Sequence, residues 1–273
     1  MSNRVHQGTT AGTHWDPGQY LRFGDHRLRP ALELLARVPS DAPVLVHDLG
    51  CGAGNVTRHL AARWPEAKVV GVDNSAQMLE KAGSEPSNIG WVQADLRTWR
   101  PDQTPDVLYS NATLQWLDNH GELIPRLFGF LSSGGCFAIQ MPLSWDSPSH
   151  QLMHQTLKDG DNGGPIGQPE VHASLERRWV QDAAYYYALL AEHGAVNIDV
   201  WETEYLQVLS GDDPVLEWVK ATGLRPVLNS LSPAERDIYV ATYGARLREA
   251  YPKLPDGSTL YPFRRLFMVA TAP

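Results

Sequence analysis

Asp48-Leu49-Gly50-Cys51-Gly52-Ala53-Gly54 is the stretch around which this chain is organised. It follows the apolar run Val44-Leu45-Val46-His47 and precedes Asn55-Val56-Thr57-Arg58-His59-Leu60-Ala61-Ala62, whose apolar residues recur at helical spacing. The pattern is strand, glycine turn, helix. Three glycines two apart accept positive φ at no steric cost and remove the β-carbons that would hold a ligand off the main chain. A bound molecule can therefore touch the backbone here.

Spacing and charge narrow what that molecule is. The dinucleotide fingerprint requires Gly-x-Gly-x-x-Gly, and a triphosphate loop requires a Gly-Lys-Ser/Thr. Here Gly50, Gly52 and Gly54 give Gly-x-Gly-x-Gly, and Asn55 follows. Asp48, at the strand end, repels polyphosphate and suits a cationic amino-acid group, which points to a cationic nucleoside cofactor. A second apolar run, Lys68-Val69-Val70-Gly71-Val72, ends in Asp73, 19 positions beyond Gly54, where an acid can accept both ribose hydroxyls. Ser75 is then a helix cap, and Met78 an apolar surface for a base. A third run, Ile89 to Ala94, ends in Asp95-Leu96. A helix cap would account for any one of these acids, but three at the carboxyl ends of successive strands match the place where open parallel sheets bind ligands.

Composition sets outer limits. At 273 residues, 42% hydrophobic and 20% charged, the chain is long enough for one large domain with an insertion. No run approaches eighteen apolar residues, and Met1 to Gly8 lacks the apolar centre of a signal peptide, so a cytoplasmic protein with no membrane partner is expected. Cys51 and Cys136 form neither a disulfide framework nor zinc spacing, and no metal is expected. A net charge of -8, from 31 acidic and 23 basic residues, argues against nucleic acid as partner. A small anion could still be held by arginines gathered locally.

Further strands are expected at Asp106 to Ser110, leading into Asn111-Ala112-Thr113-Leu114-Gln115-Trp116, and at Cys136 to Met141. Leu123, Ile124, Leu127 and Leu131 mark a helix between them. Helices are expected from Ser147 to Leu157 and Ala183 to Glu192, a long strand from Asn197 to Gln207, a helical insertion from Pro214 to Tyr251, and a last strand from Leu260 to Ala270. Near the start, Leu32, Leu35 and Ala36 are core candidates in a helix after Pro30. The fold class is α/β: a doubly wound, mostly parallel seven-stranded sheet with a helical cap. The expected boundaries are an N-terminal flap at 1–30 and a cofactor-binding core at 31–143. Cap insertions follow at 144–182 and 210–257, and the rest of the core sheet at 183–209 and 258–273.

The glycine loop with the acids at three strand ends resembles the class I S-adenosylmethionine-dependent methyltransferases. Trp15-Asp16-Pro17 with Tyr20-Leu21-Arg22-Phe23, Ser110 to Trp116, Gln140-Met141-Pro142 leading to Pro148-Ser149-His150, and Pro262 to Phe267 resemble the trans-aconitate methyltransferases within that class. The resemblance implies transfer of a methyl group from S-adenosyl-L-methionine to one carboxylate of a small tricarboxylic acid, leaving S-adenosyl-L-homocysteine. It places the cofactor on Arg29, Asp48, Gly50, Gly52, Asp73, Asn74, Met78, Asp95, Leu96 and Asn111, with Asp95 and the following amide at the adenine. Candidates for the substrate are Tyr20, Arg22, Trp116, His150, Arg178, Tyr185 and Arg265, each of which could alternatively be structural.

A carboxylate of pKa about 4 is ionised at neutral pH, so no catalytic base is expected, and rate comes from alignment and exclusion of water. Two other readings stay open from the residues alone. One is a methyltransferase of the same class acting on an oxygen or nitrogen of a different small metabolite. The other is a nucleotide-binding oxidoreductase or binding module, against which Asp48 and the missing third glycine speak. The chain is expected to act as a monomer on a small molecule.

Overall fold

The computed structural model describes residues 24–160 and 164–273. Trp15, Tyr20 and Arg22 lie outside the described residues. In chain order the described elements are α1 (Gly24–Arg37), β1 (Leu45–Leu49), α2 (Asn55–Arg63), β2 (Lys68–Asp73), α3 (Ala76–Ala82), β3 (Gly90–Gln93) and β4 (Val107–Asn111). A 3-10 turn (Leu114–Trp116), α4 (His120–Phe128), β5 (Cys136–Pro142), α5 (Pro148–Asp159), α6 (Pro169–Glu176) and α7 (Ala183–Glu192) follow. The chain then runs through β6 (Val196–Leu209), α8 (Pro214–Lys220), α9 (Arg225–Ser230), α10 (Pro233–Ala250) and β7 (Thr259–Thr271).

The seven strands form one sheet in the order β3-β2-β1-β4-β5-β7-β6. Pairs among β1 to β5 are parallel, and β7 runs antiparallel to both β5 and β6. All five residues of β1 are buried because helices cover both sheet faces. The chain walks outward from β1 to β3 and then returns to place β4 on the other flank of β1. The crevice at the carboxyl ends of β1 and β4 is therefore the topological switch point, where this architecture holds ligands.

Local sequence explains most of the boundaries. Ser75 caps α3 by accepting from the Met78 amide, Asp182 caps α7 from Tyr185, and Ser232 with Glu235 form a capping box on α10. Leu123, Ile124, Leu127 and Phe128 of α4 pack with α7 on one sheet face. Leu34, Leu35 and Val38 of α1 and Leu60 of α2 cover the other. A third cluster joins α5, α6, α8, α9 and α10 to the far ends of the long strands through Leu209, Tyr261 and Phe263.

Two details depart from expectation. Helix α1 runs through Pro30 rather than starting after it, and its buried residues include Pro30, Ala31, Leu34 and Leu35, while Leu32 and Ala36 are exposed. Proline removes one helical hydrogen bond, but Ala31 is fully buried and its carbonyl accepts from the Tyr109 hydroxyl at 2.6 Å. That packing outweighs the local cost. Among the described residues no helix is long and apolar enough to cross a membrane.

Candidate functional site

The glycine turn has the backbone its composition demands. Gly50, Gly52 and Gly54 have φ of 76°, 54° and 78°. A Cβ on Gly50 would lie 2.0 Å from the Thr113 side chain, and one on Gly54 2.5 Å from the Trp91 ring. A Cβ on Gly52 would meet nothing within 4 Å among the described residues. The outer glycines are thus required by the protein itself, whereas Gly52 faces open space that a ligand can enter. The loop after β4 is bound to this turn, since Thr113 Oγ1 donates to the Gly50 carbonyl at 3.1 Å and Ser110 Oγ to that of Leu49 at 2.8 Å.

Acidic groups surround that space. Asp48 is buried and accepts from Thr57 Oγ1 at 2.6 Å. Burial pushes its carboxyl up to about 7; the Thr57 bond opposes the shift and the negative charge of Asp73 adds to it. Asp73 accepts from the Gly52 amide through Oδ2 and from the Ser75 amide through Oδ1, each at 2.9 Å. It therefore ties the turn to the tip of β2 while each oxygen keeps accepting capacity. Asn74 is exposed beside it, its carbonyl accepting from Gln93 Nε2 at 3.2 Å, and Met78 is half-buried on α3.

Asp95 stands beyond the tip of β3, where it accepts from Arg97 Nη2 at 2.6 Å and Nε at 3.0 Å. These bonds hold its carboxyl below the usual carboxylate range. The Leu96 side chain is packed in the core next to Trp99, so only its main chain is available to a ligand.

Asn111 ends β4, and its Oδ1 is a buried acceptor with no partner among the described residues. Gln140 of β5 is its register partner. Gln140 is fully buried; its Oε1 accepts from Arg265 Nη1 at 3.1 Å, and its Nε2 is a buried donor that meets no acceptor among the described residues. Arg265, 3% exposed on β7, also lies 4.8 Å from the Phe263 ring centroid and 6.0 Å from that of Tyr205.

The remaining substrate candidates lie on other elements. His150 lies on α5, its Nε2 3.4 Å from Ser144 Oγ and its ring edge-on to Trp145, and burial pushes the imidazole down to about 4. It is neutral at physiological pH in the ligand-free protein. Arg178 is exposed and bonded to Asp146 at 2.7 Å. Trp116, half exposed on the 3-10 turn, and Tyr185, edge-on to Tyr186, are the other aromatic members. Arg29, assigned from sequence to the cofactor, has contacts among the described residues on another side. Its contacts are a 2.7 Å bond to Glu33 and the ring of Tyr205 at 5.1 Å, on β6, four strands along from β1. Arg29 and Arg265 thus share one tyrosine.

Three supporting residues were not identified from the sequence. Thr57 sits one turn into α2, where its hydroxyl reaches back to Asp48. His120 accepts from Tyr186 Oη at Nδ1 (2.5 Å) and donates from Nε2 to the Leu114 carbonyl (3.0 Å), a tautomer set by those partners, which pins the 3-10 turn after β4. Gln140 had a visible signal, a polar residue inside the apolar run Cys-Phe-Ala-Ile-Gln-Met.

Comparison with known proteins shows what the chain is similar to. A methyltransferase-domain family matches residues 46–135. The trans-aconitate 2-methyltransferase of Azoarcus sp. (strain BH72) is 47% identical over 256 residues, covering 94% of this chain and 98% of that protein. The protein of the same name from Streptomyces avermitilis is 47% identical over 264 residues, covering 94% and 96%. In fold, the chain is similar to the phosphoethanolamine N-methyltransferase 2 of Haemonchus contortus solved with S-adenosyl-L-methionine, at 18% identity and TM-score 0.56 over 94% of this chain and 56% of that one. It is also similar to the YcgJ protein of Bacillus subtilis, at 14% identity and TM-score 0.58 over 89% and 98%.

Proposed function

The chain belongs to the trans-aconitate 2-methyltransferase family, and from that premise we propose that it transfers a methyl group from S-adenosylmethionine to one carboxylate of trans-aconitate, forming a monomethyl ester. The likeness to these relatives over nearly the whole chain carries this reading. The open space over Gly52, the acids at the strand tips and the Oδ1 of Asn111, which has no partner among the described residues, fit a cationic nucleoside. When bound, S-adenosylmethionine supplies an electrophilic methyl group.

On this reading Asp73 takes the ribose hydroxyls, with Asn74 beside it. Asp95 and the Leu96 amide take the adenine, and Met78 covers one face of it. Asp48, Gly50, Gly52 and Asn111 take the amino-acid end. Arg265 receives the polyanion, and Arg29, across Tyr205 from it, belongs to that side of the site and not to the cofactor. A planar guanidinium matches carboxylate geometry and contributes about 1.5–3 kcal/mol per charged hydrogen bond. His150, Trp116, Tyr185 and Arg178 form the surrounding wall, and the helical insertion roofs it. The substrate carboxylate is already ionised at neutral pH, so these residues align it and exclude water and remove no proton. The enzyme works as a single chain in the cytoplasm, a placement supported by two buried free thiols, Cys51 and Cys136.

Incubation with methyl-labelled cofactor and a panel of small polycarboxylates tests the assignment. Label should appear as an ester of trans-aconitate, and Asp73→Ala should weaken S-adenosylhomocysteine binding at least tenfold, about 1.4 kcal/mol. Label on another metabolite with none on trans-aconitate would replace the substrate but keep the class.

A further inference from the structure

We propose that Gln140 is a specificity-determining residue of this site, its side-chain amide receiving one carboxylate of the tricarboxylate next to Arg265. The inference rests on the substrate reading above. It is carried by the hydrogen bonds that Gln140 makes and the one it does not make.

An arginine can only donate, so the atom Gln140 presents to Arg265 Nη1 at 3.1 Å must be its oxygen. The orientation of the amide follows, and Nε2 is the atom turned away from Arg265. That donor is buried in a fully buried side chain and meets no acceptor among the described residues. A buried donor left without an acceptor costs stability, and the cost is removed when a ligand supplies one.

One strand over, Asn111 Oδ1 is a buried acceptor that meets no donor among the described residues. Asn111 and Gln140 are register partners on parallel strands, so their side chains leave the same sheet face at the same level. The orphan donor and the orphan acceptor nevertheless do not bond each other. Two different ligand groups would satisfy them. A carboxylate, which only accepts, suits Gln140 Nε2 and is repelled by Asn111 Oδ1. A group bearing N–H bonds, such as the cofactor's ammonium, suits Asn111 and not Gln140. The β4 and β5 tips thus sort cation from anion on either side of one strand boundary, and the attacking carboxylate is held beside the cationic cofactor. Arg265 supplies charge and, through Gln140 Oε1, fixes the amide that adds direction.

Gln140→Glu keeps an acceptor for Arg265 but replaces the free donor with a negative oxygen, and Gln140→Met removes the amide at nearly constant size. The KM for trans-aconitate should rise about 30-fold or more in Gln140→Glu and about tenfold in Gln140→Met. S-adenosylhomocysteine affinity should stay within about twofold, and preference for trans-aconitate over the dicarboxylate itaconate should shrink in both. If Gln140→Glu fails to fold, the methionine variant carries the test. An unchanged KM in a folded variant, or a parallel loss of cofactor affinity, would overturn the inference while leaving the wild-type activity standing. A wild-type protein that binds S-adenosylhomocysteine but does not methylate trans-aconitate would remove the substrate reading and this inference with it.

Discussion

Asp48 shows how burial turns a strand-end acid into a pH-responsive contact. Its carboxyl, pushed up to about 7, takes a proton below that pH in the ligand-free protein. A cationic ligand group favours the ionised form, so binding must displace the proton whenever the pH lies under about 7. S-adenosylhomocysteine should therefore bind more tightly as pH rises from 5.5 to 7.5, by up to about tenfold per unit below the carboxyl pKa. Calorimetry in buffers of different ionisation heat should detect the released proton. Asp48→Asn should weaken binding and flatten the profile; a wild-type profile that is already flat would separate Asp48 from the cation. The position of Asp48 was legible from sequence, since an acid after an apolar run ends a strand. Its raised pKa was not, because that depends on burial beneath α2 and on Asp73, 25 positions away.

At the level of elements, the strand, turn and helix around the glycines divide labour between fold and ligand. Gly50 is crowded by Thr113 and Gly52 is not, although both have positive φ. Alanine at either position pays a left-handed cost of about 1–2 kcal/mol. At Gly50 it also overpacks against Thr113, adding about 1–3 kcal/mol. Gly50→Ala should consequently lower the melting temperature more than Gly52→Ala. Gly52→Ala, with a methyl group in the ligand space, should abolish most S-adenosylhomocysteine binding while the protein stays folded. Melting curves paired with titrations check this, and a greater melting loss in Gly52→Ala would reverse the division. Helix α1 marks the limit of local reading. Pro30 argued for a boundary, yet the burial of Ala31 and Leu34 against the sheet carries the helix through it and shifts which leucine faces inward.

For the whole molecule, histidines buried in two separate regions link stability to pH. His47 in β1, edge-on to Trp99, and His150 in α5 are each pushed down to about 4 by burial. Both are neutral in the fold, while in the unfolded chain they protonate near 6.5. Stability from this source is thus complete above about pH 6.5 and falls as pH drops toward 4, by about 1.4 kcal/mol per unit for each group. Asp48 runs the other way, since its raised pKa lets the fold gain a proton over the same interval. Denaturant unfolding between pH 4.5 and 7 should show a shallower acid loss in His150→Gln and a steeper one in Asp48→Asn; equal slopes in all three proteins would contradict the linkage. Seven strands, their alternation with helices and the acids at three strand tips could be read from the chain alone. Strand periodicity, glycine turns and caps are interactions among near neighbours, and near neighbours are what a sequence displays. Only the tertiary structure decided that Arg29 turns to Tyr205 and Glu33, that His150 is neutral, and that Gln140 offers its amide beside Arg265, 125 positions away. Those outcomes follow from sheet register and burial, which join residues that no local spacing relates.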